Sequence, residues 1–393
     1  MDDLVHFSFN EKSSVLLIFF FNALFIGTLL MIKDHGENSK QRNWLVSFIL
    51  LGALYICPFM LGYAGWYGIK AYREFLFFIP FQQLLLIGPV FYFYVRTLLN
   101  RKFRLRKKDI IHFLPAILYA FYILVVFIVD KILLDTFYFY ADGKDMDLDF
   151  WYQMAGLISM MFYLTRSYQF YISYRRAAVQ EVSFADAISF NWIKHFALVF
   201  ALILILRVLF FILNPEWGEF GSKYWYYLCF SVLLMYISIA GYTHTIKSSF
   251  HLSMPAAFDF EEKEKTDEFN IESHAQRDAS LYKWKEKIDH LFEVEKIHTH
   301  SNLTLSELAV ILKTNRNVIS KTINQEYDLN FNDLVNAKRA RAVIEKLKKG
   351  EHAQNTLLAI ALDCGFNSKT TFNRAFKKHT GLSPKQYILK NHF

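Results

Sequence analysis

A chain of 393 residues that is 54% apolar and 18% aromatic carries more hydrocarbon than one soluble core consumes. The net charge of +8 is informative only through its distribution along the chain. Three cysteines, Cys57, Cys229 and Cys364, supply neither a disulfide framework nor a zinc spacing.

The apolar excess lies upstream of about residue 245, in seven runs: Val15 to Ile32, Trp44 to Gly65, Phe75 to Leu99, Ile110 to Val129, Phe150 to Tyr174, Trp192 to Leu213 and Tyr224 to Thr243. Each is long enough to cross a bilayer as a helix, and the polar stripes of a soluble bundle are nearly absent. Asp2 and Asp3 precede the first run, with no basic n-region and no small-residue cleavage site, so it reads as a retained anchor rather than a signal peptide. The loops after runs one, three and five hold 11 Lys or Arg, against 6 on the other side. The positive-inside rule then puts the N-terminus outside and, after seven spans, the C-terminus in the cytoplasm.

Within the runs the informative residues are polar. Arg207 lies toward the outer end of the sixth run, Gln82 and Gln83 in the outer part of the third, and Gln153 in the outer part of the fifth, while Asp130 ends the fourth. An arginine at bilayer depth costs about 2.5 to 3.5 kcal/mol on insertion scales. These five residues form a candidate signal site, with Asp130 as ion-pair partner of Arg207. Snorkelling of Arg207 to the headgroups is the alternative.

After the last run, Met254 to Asp278 holds eight acidic and three basic residues, net −5, and reads as a flexible tether that DNA and phosphate headgroups both repel. Leu281, Trp284, Ile288, Leu291 and Phe292 then recur at helical spacing, an apolar face for the next domain or for a second copy of the chain.

From Ser301 onward 15 basic residues face 7 acidic ones, net +8. Thr304 and Glu307 form a capping box ahead of Leu305, Leu308, Ala309 and Leu312. A turn at Lys313-Thr314-Asn315 leads to a helix with Ile319 and Ile323 inward and Arg316, Asn317, Ser320, Lys321 and Asn324 outward. A long helix from Phe331 to Lys349 follows, ending at Gly350 and rich in Lys338, Arg339, Arg341, Lys346, Lys348 and Lys349. Leu357, Leu358, Ile360 and Ala361 open a short helix that breaks at Cys364-Gly365-Phe366. Another restarts at Asn367 or Ser368 with Phe372, Ala375 and Phe376 inward and Lys369, Thr370, Asn373, Arg374 and Lys377 outward. Two helix-turn-helix units thus flank one helix, and basic and amide side chains on an exposed helix suit base edges and phosphates in a major groove.

The run of Gly365-Phe366, Thr371-Phe372, Arg374, Phe376-Lys377-Lys378, Gly381, Ser383-Pro384 and Tyr387 resembles the DNA-binding domain of AraC/XylS-type bacterial transcription regulators over about Leu303 to Leu389. The resemblance implies two recognition helices in successive major-groove segments. It makes Asn317, Ser320 and Lys321 in the first unit, and Lys369, Thr370, Asn373 and Arg374 in the second, the base-reading candidates, with Lys377 beside them. The first unit departs from the family pattern: Asp328 stands where glycine is usual, Lys321 where arginine is usual, and Lys346 where the linker helix usually has an apolar residue.

The expected fold is all-α. A seven-helix transmembrane domain (1–245), an acidic tether (246–280), an amphipathic connecting helix (281–300) and a double helix-turn-helix domain (301–393) follow one another. The expected partners are double-stranded DNA, the lipid bilayer, an unidentified small-molecule or membrane signal, and a second copy of the chain, since tethered pairs gain effective concentration. The expected function is a membrane-anchored transcription regulator; a transporter or membrane enzyme with a regulatory appendage is the other reading. No phosphate-cradling glycine loop, metal cluster or nucleophile motif is present, so no catalytic residue, metal or cofactor is expected.

Overall fold

The computed structural model describes residues 9–32, 39–100, 103–140, 146–185, 191–213, 221–250 and 274–391. Asp2, Asp3 and residues 251–273, the middle of the expected tether, lie outside them. Among the described residues the chain is all-α, with fifteen α-helices and, in place of any strand, a single antiparallel bridge between Val182 and Thr304. It divides into two compact units, Met1–Tyr171 with Asn191–Ser253, and Ile172–Phe190 with Met254–Phe393.

The first unit contains α1 (Glu11–Ile32), α2 (Ser39–Tyr63), α3 (Lys70–Leu76), α4 (Leu84–Leu99), α5 (Leu114–Phe127), the start of α6 (Phe150–Glu181), α7 (Asn191–Val208) and α8 (Lys223–Phe250). Among the described residues five helical stretches are long and apolar enough to cross a membrane: Glu11–Ile32, Lys40–Tyr63, Lys107–Leu133, Trp192–Leu213 and Lys223–Thr245. The other two of the seven runs behave differently. Pro80 interrupts the third, leaving α3 and the 16-residue α4 on either side of irregular backbone. The fifth becomes the 32-residue α6, whose Gln153, Arg166, Gln169, Arg175 and Arg176 lower its mean hydropathy.

The hub is α2, which packs against α1, α4 and α8 and is the most buried of the five. The outward faces of its neighbours are apolar. Ile18, Phe21 and Phe25 on α1, Ile117, Leu118, Phe121 and Leu124 on α5, and Leu198 and Ile205 on α7 are all exposed. In water such faces would be costly, at about 25 cal/mol per Å² of apolar surface; against lipid they cost nothing.

The second unit holds the end of α6, then α9 (His274–Glu293), α10 (Leu305–Ile311), α11 (Arg316–Glu326), α12 (Phe331–Lys348), α13 (Leu357–Asp363), α14 (Lys369–Thr380) and α15 (Pro384–Asn391). Both ends of the expected tether are helical, since α8 runs to Phe250 and α9 begins at His274. The apolar face of α9 is spent inside its own domain: Ile288, Leu291 and Phe292 are buried with Leu305, Leu308, Ile319 and Ile323.

Two cores share α12. Phe331, Leu334 and Val335 from its first half complete the core of α9, α10 and α11, while Ala340, Val343 and Leu347 from its second half pack with Ile360, Phe366, Phe372 and Phe376. Burying both halves of one helix in different cores couples the two helix-turn-helix units. The caps are those the sequence encodes. Thr304 and Glu307 form the reciprocal box, and Asn315, Asn330, Thr356 and Ser368 each accept from a first-turn amide. Ser368, rather than Asn367, caps α14.

Candidate nucleic-acid interface

In α14, Phe372 and Phe376 are buried, and this orients the remainder of the helix. Lys369, Thr370, Asn373, Arg374 and Lys377 are all exposed. In α11, Ile319 and Ile323 are fully buried, Asn317 is exposed, and Ser320 and Lys321 are half-buried. Each unit therefore presents a polar, cationic face held by an apolar one, the arrangement a helix needs to lie against base edges.

The turns that set these helices are strained where the sequence permits it. Asp328, standing where the AraC/XylS pattern has glycine, adopts φ +52°, and the corresponding Gly381 of the second unit adopts φ +75°. Aspartate is among the few side chains that tolerate this left-handed region, so the departure keeps the turn. Gly365 has φ +93°, and a Cβ there would collide with the His298 carbonyl oxygen.

Much of the basic charge on α12 is already engaged. Lys338 lies 2.8 Å from Glu293 and 3.4 Å from Asp289, Lys346 lies 3.3 Å from Glu351 and 3.4 Å from Asp363, and Lys378 of α14 lies 2.7 Å from Asp333. The two acidic partners of Lys346 explain how a lysine occupies a usually apolar linker position. Lys348 and Lys349 are exposed.

Arg339, one of the basic residues noted on the long helix, is fully buried. Its guanidinium donates to the carbonyls of His298 (2.8 Å), His300 (2.7 Å) and Ser301 (3.3 Å) and to the Ser183 hydroxyl (3.1 Å). Burial pulls its pKa down to about 9, which leaves it charged at neutral pH. His298, beside it, has a lowered pKa, first from burial and then from the Arg339 charge. The inward turn of Arg339 follows from helix register, since it lies four residues after Val335 and four before Val343, both buried, but the register does not say which groups its guanidinium reaches.

In the first unit Arg207 is 4% exposed and donates to the Tyr55 hydroxyl (3.0 Å) and to the Gln153 carbonyl (3.1 Å) and side chain. Gln153 donates to Gln82 (2.8 Å), and Gln82 to the Tyr227 hydroxyl (2.9 Å). Three of the five expected residues, Arg207, Gln153 and Gln82, are thus brought together. Gln83 is not among them; its side chain donates back to the Pro80 carbonyl at 2.7 Å. The ion pair expected between Arg207 and Asp130 does not form. Asp130 instead accepts the backbone N–H of Phe139 (3.2 Å) and Tyr140 (3.3 Å), because the chain folds back after α5 and leaves these donors needing a buried acceptor.

Sequence reading also gave no role to Asp147 and Tyr152. The break at Pro80 frees backbone groups in apolar surroundings, where water cannot satisfy them. Asp147 accepts the Gln82 N–H at 2.9 Å, and the Tyr152 hydroxyl donates to the Gln82 carbonyl at 2.6 Å.

Residues 308–390 match the family model described as a helix-turn-helix domain. The chain is 31% identical over 103 residues to proteins of Staphylococcus aureus strains COL and MSSA476, each named as an uncharacterized HTH-type transcriptional regulator. The match covers 26% of this chain and 13% of each relative, so the chain is aligned with only a small part of their length. No solved structure matches the chain. The matched segment contains α12, the second core, the later part of the first core and every base-reading candidate: this chain carries a helix-turn-helix domain of the kind found in HTH-type transcriptional regulators.

Proposed function

We propose that the chain is a membrane-anchored transcription regulator of the AraC/XylS type, which binds promoter DNA sequence-specifically through α11 and α14 under the control of a signal received by its apolar helices. The observation that carries this reading is the pairing of two helix-turn-helix units on one shared helix, each with a cationic, amide-rich outer face at the family's reading positions. Asn317, Ser320 and Lys321 then read one segment of the groove, and Lys369, Thr370, Asn373 and Arg374 the next, with Lys377 on a phosphate. The apolar outer faces of α1, α5 and α7 support insertion in a bilayer, and the excess of basic residues in one set of loops supports a cytoplasmic C-terminus, where DNA is.

The signal side rests on Arg207. No carboxylate lies within ion-pair distance of it among the described residues, and it lines a cavity of about 160 Å³ with Lys223, Phe59, Met154, Leu157 and Phe211. Two cations on a cavity otherwise lined mostly by apolar side chains, with Gln153 and Tyr227 beside them, suit a small anionic molecule with a hydrocarbon body.

Sequence selection from random duplex DNA by the full chain in lipid nanodiscs tests the DNA half. The expected result is a motif with two elements about one helical turn apart, roughly 10 base pairs. Indifference to duplex sequence at moderate ionic strength would refute it.

A further inference from the structure

The end of α6 and the turn after it are built into the DNA-binding unit, although more than a hundred residues separate them from it in sequence. Val182 bridges to Thr304, and the Ser183 N–H donates to the Leu303 carbonyl at 3.1 Å. Three buried side chains of α12 hold the turn from the other side. Asn332 donates to the Val182 carbonyl (3.3 Å), Asn336 to the Ser183 carbonyl (3.3 Å), and Arg339 to both the Ser183 carbonyl (3.4 Å) and hydroxyl (3.1 Å). Val182, Ser183, Phe184 and Ala185 are all at most 5% exposed. This is a seated segment, not a loop passing by.

What the seat positions is Glu181. Its carboxylate lies 3.0 Å from Nη1 of Arg316, the first residue of α11, and accepts the Ser306 hydroxyl at 2.6 Å. Arg316 directly precedes the base-reading candidate Asn317, and an arginine at the leading end of a reading helix is placed to take a DNA backbone phosphate. A carboxylate offers the same paired anionic oxygens that a phosphate would. The same helix end also bears on the second helix-turn-helix unit: the Arg374 pKa is lowered first by burial and then by the Arg175 charge.

We propose that Glu181 is an intramolecular stand-in for a DNA phosphate, seated on Arg316 by the docked turn 182–185, so that DNA binding by the first helix-turn-helix unit requires its displacement. Because α6 begins at Phe150 among the apolar helices, a change there that draws on α6 withdraws the carboxylate and releases Arg316. The device rests on the DNA-binding reading given above and adds its control.

The test is DNA binding by the full chain in nanodiscs, with wild type, Glu181→Gln, Arg316→Gln and the double variant, on one selected duplex across a salt series. Glutamine keeps the shape of Glu181 and the bond from Ser306 but lacks the charge. Glu181→Gln is expected to bind about two- to tenfold more tightly, from the release of one partly buried ion pair. Its plot of log affinity against log salt concentration should keep the wild-type slope, since both proteins hold the same phosphate once the carboxylate is displaced or absent, whereas that of Arg316→Gln should flatten by about 0.9, the signature of one lost phosphate contact. In the Arg316→Gln background the gain should vanish. Hydrogen exchange adds a readout that needs no variant: saturating DNA should speed exchange of the Ser183 amide and its neighbours. Unchanged or weaker binding by Glu181→Gln, a gain that survives Arg316→Gln, or exchange at 182–185 that DNA does not alter would overturn the inference. Failure of wild type and Glu181→Gln alike to prefer any duplex sequence would instead remove the DNA-binding reading, and this inference with it.

Discussion

Replacing Gly365 with alanine isolates the geometry of the second helix-turn-helix. The residue has φ +93°, and an added Cβ would strike the His298 carbonyl oxygen and come within 2.9 Å of two Thr299 backbone atoms. Two costs add. A side chain in left-handed backbone costs roughly 1 to 2 kcal/mol. An extra methyl forced against backbone rather than a flexible side chain costs about 1 to 3 kcal/mol more. The sum, about 2 to 5 kcal/mol, is a large part of the 5 to 15 kcal/mol typical of a domain. Gly381 is the internal control: its φ is +75°, but a Cβ there meets nothing within 4 Å, so only the first cost applies. Hydrogen exchange of the full chain, read on amides of α13 and α14, measures the difference directly. Gly365→Ala should accelerate exchange of the most protected amides by about 30-fold to a few thousand-fold, and Gly381→Ala by about 5- to 30-fold. Equal effects at the two positions would show that the close approach of the His298–Thr299 backbone does not constrain the turn.

Arg374→Ala should cost about 1 to 3 kcal/mol on the selected duplex and relax preference at one base pair, whereas Lys349→Ala should weaken selected and random duplexes alike; equal loss on both duplexes for Arg374→Ala would end its base-reading role. Arg339→Lys keeps the charge but loses the planar fork that reaches four carbonyls, so it should still destabilise the second unit by about 2 to 3 kcal/mol, seen as faster exchange in both of its cores; wild-type exchange would show the fork to be dispensable. His298 is held neutral by burial and by Arg339, so its folded pKa lies below the unfolded value near 6.5. The unfolded chain then binds the extra proton first, and stability of the second unit should fall as pH drops through 6.5 toward the folded pKa. His298→Gln should flatten that segment of the stability profile, and an unchanged slope would refute the assignment.

The DNA-binding half was legible because its signals are local. The long helix expected over Phe331 to Lys349 spans Phe331–Lys348, the capping box at Thr304 and Glu307 forms, and the aspartate in a glycine position keeps the left-handed turn. Caps, helix period and turn residues act over three or four positions, so one strand of sequence contains all the partners they need. The inward and outward faces of α11 and α14 followed for the same reason.

The apolar half was legible only as hydrocarbon. Run length identified the stretches, but whether a run is one helix depended on where its freed backbone groups find partners. At Pro80 those partners are Asp147 and Tyr152, about seventy residues away. Arg207 was visible as a buried cation; that its bonds go to Tyr55 and Gln153, and not to Asp130, was decided by which polar groups the bundle brings to the same place.

By itself, then, the sequence determined the all-α class, the apolar and basic halves, and the faces of α11 and α14, since each is set by periodicity and composition. Only the tertiary structure decided which carbonyls Arg339 reaches and that Glu181 rests on Arg316. Their partners lie about 40 and 135 residues away, and no pattern with a period of a few residues encodes a contact at that separation.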